Sequence, residues 1–358
     1  ESAWANDLTA GSFILDGLTV HRFPIDAHDR AAHHETIRKI TAADGQVDAA
    51  TATEYLRHSI HSSKLIETLV ARRAEFDAII TGPYLFGLTH DIATAFPDQT
   101  LLLPCFHDEP YVRLGCWQQS YGPVGGVLYH SPEEQEFAQA ILGLNHPRAI
   151  EIGTVIDAGQ SPRAAARGIT ERYVVYCGRF SQQKNVPLLL EFAERYEREG
   201  PGRFQFVFVG HGEVRIPKAA WAVDRGRLDE EEKRQVLAHA AALMQLSRQE
   251  SLSLVALEAW AQATPVIVHE DCAVLRGQVE RAQGGRAVRD YDSFAAALDE
   301  LWQRPEDWQA LGASGRAYVA ARYGSEDAYR RRLLDAIDSL TMPLRACMRE
   351  RGLARAAA

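Results

Sequence analysis

The chain reads as α/β, built from two Rossmann-like domains. Three observations predict this. In the second half, apolar strand-like runs end in glycine turns and alternate with segments of helical length, the order that a doubly wound parallel sheet requires. The first half holds shorter apolar runs separated in the same manner. The length, 358 residues, exceeds one typical domain and suits two of about 150–180 residues.

In chain order, Phe13 to Pro24 predicts a hairpin around Asp16-Gly17. The polar stretch 31–75 predicts helix. Phe76 to Pro83 predicts a short buried strand running into a turn, and Thr100 to Phe106 another, ending at His107-Asp108-Glu109-Pro110. Gly126 to Ser131 predicts a third, followed by a helix over Pro132 to Leu142, and Ala149 to Gly153 closes the half. The first domain is expected over 1–156, with the polar segment 157–171 as linker.

Tyr173-Val-Val-Tyr-Cys-Gly178-Arg179-Phe-Ser-Gln-Gln-Lys184-Asn185 predicts a buried strand, a glycine turn and two cations, then a helix from Val186. Such a turn at the carboxyl edge of a parallel sheet is where ligands bind in open α/β folds. Arg offers phosphate oxygens a planar fork and Lys a compact point charge; taken alone, both also read as solvated surface charges. Phe204 to Gly212 predicts a further strand and glycine turn. Glu250-Ser-Leu-Ser-Leu-Val-Ala-Leu-Glu258 sets two carboxylates around an apolar run, and Pro265 opens the next strand. Ser251 or Ser253 can cap a helix over about 252–262 whose first amides face an anion. Eight helical residues rise about 12 Å, the reach from a sugar through a diphosphate to a ribose. The plain alternative is an amphipathic helix with two solvated glutamates. The second domain is expected over 157–325, with terminal helices over 326–358.

Composition narrows the function classes. A net charge of −9 argues against a nucleic-acid partner, since phosphate backbones want a basic face. Of 39 basic residues only five are Lys, which reads as coding bias. The five cysteines (Cys105, Cys116, Cys177, Cys272, Cys347) show no metal-ligand spacing and read as reduced cytoplasmic thiols. No apolar run approaches the roughly 18 residues of a membrane span.

On these residues the chain resembles the retaining glycosyltransferases of the GT-B fold, the large family 4 group (glycosyl transferases group 1). The resemblance rests on Gly178-Arg179 with Lys184, on Val209-Gly210-x-Gly212, and on Glu250-x7-Glu258 followed by Thr264-Pro265-Val266. Leu275-Arg-Gly-Gln278 and Gly284-Gly285 add to it. It is close over about 150–340 and looser before. It implies transfer of a hexose from a nucleotide diphosphate sugar to an acceptor hydroxyl, with retention at the anomeric carbon. Arg179 and Lys184 would stabilise the departing diphosphate, assisted by amides near Ser253, Leu254 and Val255. Glu258 would hold the ribose hydroxyls and Glu250 those of the sugar. The base would sit near Arg227-Leu228, and Gly178 and Gly210 stand in the turns facing the donor. In the family a histidine at the matching strand end lies beside donor sugar and acceptor, which gives His107 a catalytic role. Asp108 and Glu109 would orient it, contact acceptor hydroxyls or cap the next helix, and Tyr84 is either an acceptor-side residue or packing. The leaving phosphate would take the acceptor's proton. Neither a metal nor a cofactor beyond the donor is implied, since Arg and Lys supply the fixed positive charge.

There are departures from the family pattern. Leu246 replaces the proline of a Pro-Ser pair, and Ser251 and Ser253 stand where glycine is common. The family opens with a strand, a glycine-rich loop and a helix, whereas this chain begins Glu1-Ser-Ala-Trp-Ala; that unit is expected to have been cut, disordered or lost. The primary expectation is an active transferase in the cytoplasm on a glycan, lipid-linked or natural-product acceptor. Its competitors are an impaired nucleotide-sugar binding protein partnering another enzyme, and a sugar-nucleotide epimerase. The last helix is expected to cross back onto the first domain. Arg345, Arg349, Arg351 and Arg355 read as a solvated helix face, or as a peripheral contact with an anionic inner-membrane surface.

Overall fold

A computed structural model describes residues 5–157, 159, 172–200 and 203–350, with side chains through Thr341. The chain divides into two compact units, Glu1–Ile152 with Arg332–Ala358, and Gly153–Arg331.

The first unit opens with the hairpin β1 (Gly11–Leu15) and β2 (Leu18–Arg22), in which Phe13 faces Val20. Asp16 and Gly17 take φ of 49° and 80°, the doubly positive pair that a two-residue turn needs. Three helices follow, α1 (Arg30–Ala42), α2 (Ala49–Arg57) and α3 (Ser63–Ala71). Asp29, Asp48 and Ser62 cap them, each accepting a backbone N–H from the first turn. Strands and helices then alternate: β3 (Ile79–Thr81), α4 (Gly87–Ala95), β4 (Thr100–Leu102), α5 (Cys116–Tyr121), β5 (Gly126–Tyr129), α6 (Pro132–Leu142) and β6 (Ala149–Glu151). The four strands β3 to β6 are parallel and neighbour one another in chain order. Because side chains alternate across a strand, Leu102 and Val127 join Phe106, Trp117 and Tyr121 on one face, while Leu101 and Leu128 look to the other. Ala336 and Leu340 of the chain's last helix cover that second face.

The second unit contains β7 (Tyr173–Cys177), α7 (Val186–Glu199), β8 (Gln205–Val209), β9 (Ala222–Asp224), α8 (Glu230–His239), β10 (Leu243–Gln245) and α9 (Leu254–Ala261). After these come β11 (Val266–His269), α10 (Ala273–Ala282), β12 (Gly285–Val288), α11 (Tyr291–Gln303), α12 (Pro305–Arg322) and α13 (Glu326–Glu350), the last continuing into the first unit. Its six strands among the described residues are all parallel, in the order β12-β11-β10-β7-β8-β9. The order reverses between β7 and β10, so a crevice forms beyond their carboxyl ends. Every residue of β7 is buried, as a strand covered on both faces requires.

Helix α9 is fixed from several sides. Ala256, Leu257, Ala259, Trp260 and Ala261 are all buried, and Trp260 Nε1 donates to the Gly284 carbonyl at 2.8 Å. The indole sits against Gly315 of α12, where a Cβ would come within 2.1 Å of it. Glu258 is therefore carried on a rigid rod, whereas Glu250 lies in the loop before Leu254.

The segment 157–171, expected as linker, lies outside the described residues apart from Asp157 and Gly159, as do Arg351, Arg355 and the side chains of Arg345, Cys347 and Arg349. No described helix is long and apolar enough to cross a membrane.

Candidate functional site

Two loops of the second unit flank the reversal of strand order. The loop after β7 carries Gly178, Arg179 and Lys184; the loop after β10 carries Glu250. Lys184 Nζ donates to Glu250 Oε1 at 2.7 Å, and Gln245 Nε2, at the end of β10, donates to the same oxygen at 3.3 Å. Both contacts fall on Oε1, leaving Oε2 without a partner among the described residues. The Glu250 side chain is only 8% exposed, a position a carboxylate tolerates when a cation and an amide meet it. Arg179 is exposed; its carbonyl accepts the Tyr176 hydroxyl at 2.8 Å, while its guanidinium has no hydrogen-bond or ion-pair partner among the described residues. Asn185 Nδ2 donates to the Leu246 carbonyl at 3.0 Å and so ties the two loops together. Leu246, in place of the family's proline, is buried in the apolar core.

In the middle of α9, Glu258 meets a residue that the sequence reading passed over. Lys233 of α8 donates to Glu258 Oε1 at 3.1 Å and lies 2.8 Å from Glu230 Oε2. Burial lowers the pKa of this ammonium, but the hydrogen bonds and charges of the two carboxylates outweigh it and leave a net rise. No local motif marks Lys233; its role comes from the packing of α8 against α9. A pocket of about 270 Å³ adjoins the pair, lined among others by Thr154, Ile156, Lys233, Leu254 and Glu258.

The helix start departs from expectation. Ser253 occupies the N-cap of α9, yet its side chain makes no capping hydrogen bond and its Oγ is buried without a partner among the described residues. A serine in that conformation does not compete for the first-turn N–H groups. Leu254 is exposed, whereas the side chain of Val255 packs on the core.

Glycines let three loops run together. The Gly178 amide donates to the Val209 carbonyl, Phe180 to His211, and Gly210 to Gly226, at 2.8–2.9 Å. Gly210 has φ of +136°, and a Cβ there would lie 1.9 Å from the Gly178 oxygen. Leu228, in the loop beyond Gly226, turns its partly buried side chain to the core.

In the first unit, His107 stands beyond β4. Its Nδ1 is 3.1 Å from the Cys105 carbonyl and its Nε2 is 3.4 Å from Glu109 Oε2. Glu109 is buried and accepts the Tyr84 hydroxyl at 2.6 Å. Burial drives the Tyr84 phenol well above its usual pKa. Tyr84 is fully buried and therefore packs, Glu109 holds His107, and Asp108 pairs with Arg113. Glu109 makes no side-chain cap. Glu134 is a further residue the sequence reading left unassigned. It sits in the first turn of α6, where an acid is ordinarily solvated, yet it is buried and accepts the amides of Phe106 and His130, each at 2.7 Å. Burial opposes charge on His130, but hydrogen bonds to Cys105 and Glu134 prevail and push its pKa up to about 10.

Residues 171–304 match the family model described as glycosyl transferases group 1. No curated protein matches the chain in sequence. Among solved structures, the α,α-trehalose-phosphate synthase (UDP-forming) from Burkholderia vietnamiensis is similar over 94% of this chain and 89% of its own, with TM-score 0.71 and 13% identity. The sucrose-phosphate synthase from Thermosynechococcus elongatus is similar over 95% of this chain and 88% of its own, with TM-score 0.68 and 16% identity. TarM of S. aureus is similar over 67% of this chain at TM-score 0.55 and 17% identity; the chain spans 50% of its length. The shared architecture is GT-B, two Rossmann-like domains.

Proposed function

We propose, from the match of residues 171–304 to the group 1 glycosyltransferase model and from the GT-B fold, that the chain transfers a hexose from a nucleotide diphosphate sugar to an acceptor hydroxyl, with retention at the anomeric carbon. The observation that carries this reading is the pairing of Lys184 with Glu250 at the reversal of strand order, in the loop that leads into α9 and its Glu258.

The residues divide the donor among them. Arg179 and Lys184 take the diphosphate, and the first amides of α9, at Leu254 and Val255 after Ser253, reach its oxygens with the positive end of the helix dipole behind them. As the diphosphate binds, Lys184 exchanges the Glu250 carboxylate for phosphate, and Glu250 accepts sugar hydroxyls. Glu258 accepts the ribose hydroxyls, the loop through Leu228 borders the base, and Gly178 and Gly210 let backbone approach the ligand. In the reaction the bond from the anomeric carbon to the phosphate oxygen breaks as the acceptor oxygen bonds the same face. The acceptor's proton passes to the leaving phosphate oxygen. Fixed positive charge matched to the developing negative charge is the main catalytic term. His107, held through Glu109, serves the acceptor side.

The acceptor is a glycan, lipid-linked or natural-product hydroxyl, and no cofactor beyond the donor takes part. Cys105, Cys116, Cys177 and Cys272 are free thiols, which suits a reducing cytoplasm, with peripheral contact at the inner-membrane face. The test is a thermal-shift panel of UDP, GDP, ADP, dTDP and CMP against the wild type and Lys184→Ala. A nucleotide at a hundred times its dissociation constant stabilises by about 2.7 kcal/mol. One nucleotide raising only the wild type supports the reading, and a flat panel sinks it. Binding without sugar transfer would instead identify a nucleotide-sugar binding partner of another enzyme.

A further inference from the structure

Glu250 and Glu258 are held in the same way. Each accepts a lysine on Oε1, from Lys184 at 2.7 Å and from Lys233 at 3.1 Å, and each leaves Oε2 without a partner among the described residues. Lys184 belongs to a recognisable loop motif. Lys233 belongs to none; it reaches Glu258 only because α8 packs beside α9.

We propose that Lys233 is a positioning residue for Glu258, and that the pair makes this site select ribonucleoside over 2′-deoxyribonucleoside diphosphates. The inference rests on the reading of Glu258 as the ribose carboxylate.

The geometry supports a positioning role. The Lys233 side chain is 19% exposed, and its ammonium bridges Glu258 and the largely solvated Glu230. A glutamate has three rotatable bonds, and a carboxylate offers about four lone-pair sites. A hydrogen bond on Oε1 fixes the carboxylate plane and leaves Oε2 open, with one further site on Oε1. Neighbouring 2′ and 3′ hydroxyls can both donate to a carboxylate whose plane is already set. Removing the 2′ hydroxyl deletes one charge-assisted hydrogen bond and leaves an acceptor unmet. Without the lysine, Glu258 turns freely and stands uncompensated beside Glu230, so the second hydrogen bond no longer comes preformed. The adjoining pocket of about 270 Å³ gives the nucleoside a place beside the pair.

The experiment is a calorimetric titration of UDP, GDP and ADP, each against its 2′-deoxy counterpart, together with dTDP. The proteins are the wild type, Lys233→Met, Lys233→Arg and Glu258→Gln. One hydrogen bond to a charged group corresponds to about a 10–100-fold difference in affinity. The wild type is expected to prefer one ribonucleotide by that factor, Lys233→Met to lose most of the preference, and Lys233→Arg to keep it. The ratio is the decisive readout, because both ligands of a pair carry the same diphosphate and respond equally to a general loss of charge or stability. Equal affinities in the wild type, or dTDP as its best ligand, would overturn the inference while leaving the donor site standing. A preference that survives in Lys233→Met but vanishes in Glu258→Gln would show that Glu258 acts without the lysine. A wild type that binds no nucleotide would remove the donor reading itself.

Discussion

Lys184 and Glu250, 66 residues apart in the chain, meet at 2.7 Å because they follow β7 and β10, the two strands between which the sheet order reverses. Removing Lys184 leaves a nearly buried carboxylate with Gln245 as its only hydrogen-bond donor among the described residues. Lys184→Ala should lower stability by about 1–3 kcal/mol. Transfer measured as released nucleotide should fall by about 100-fold or more. Adding Glu250→Gln should restore the melting temperature and not the activity. A melting temperature that does not recover would show that the two side chains are not coupled in the empty protein.

Gly210→Ala tests the close approach of the loops after β7 and β8. A methyl group there overlaps the Gly178 oxygen and must adopt a left-handed φ. The expected cost is about 1–3 kcal/mol, read as a lower midpoint in chemical denaturation. Nucleotide affinity should fall as well, since Gly178 and Arg179 would be displaced. A variant as stable as the wild type would mean that the loops part easily.

Asn185 does two things, and two substitutions separate them. Its φ of 56° suits Asn or Gly, and its Nδ2 holds the Leu246 carbonyl. Asn185→Gly should lose only the hydrogen bond, about 1 kcal/mol. Asn185→Ala should lose that and a further 1 kcal/mol or so of backbone strain. Equal melting temperatures for the two variants would contradict the strain component.

His130 predicts a pH dependence. Its folded pKa of about 10 lies above the ordinary value of 6.5, so its charged form stabilises the fold. That contribution is complete below pH 6.5 and is lost as the pH rises through about 10. His130→Gln should therefore cost about 1–3 kcal/mol near pH 6, and urea denaturation should find the gap narrowing towards pH 10. A gap that is constant with pH would mean that the imidazole is neutral in the fold.

Much of the fold was legible because it is written locally. The hairpin follows from Asp16-Gly17, whose backbone takes the doubly positive turn, and α6 spans Pro132–Leu142 as Ser131 and the following acids suggest. Apolar runs such as Tyr173–Cys177 could be read as buried strands without knowing their neighbours. Gly178, Lys184, Glu250 and Glu258 stood out by their places at predicted turns and by the family resemblance, both of which a short stretch of sequence can carry.

The partners of those side chains were not legible, and neither were the residues that work only through packing. Lys233 stands in no local motif, and its role follows only from α8 lying against α9. Glu134 carried no local signal of its role, yet it closes two backbone amides beyond neighbouring strands. Ser253 had the chemistry of a cap and does not act as one. The sequence by itself determined which segments are strands, turns and helices, because periodicity and turn chemistry act between near neighbours in the chain. Which charge meets which was decided only by the tertiary structure, since strand order and helix packing bring together groups that no local spacing relates.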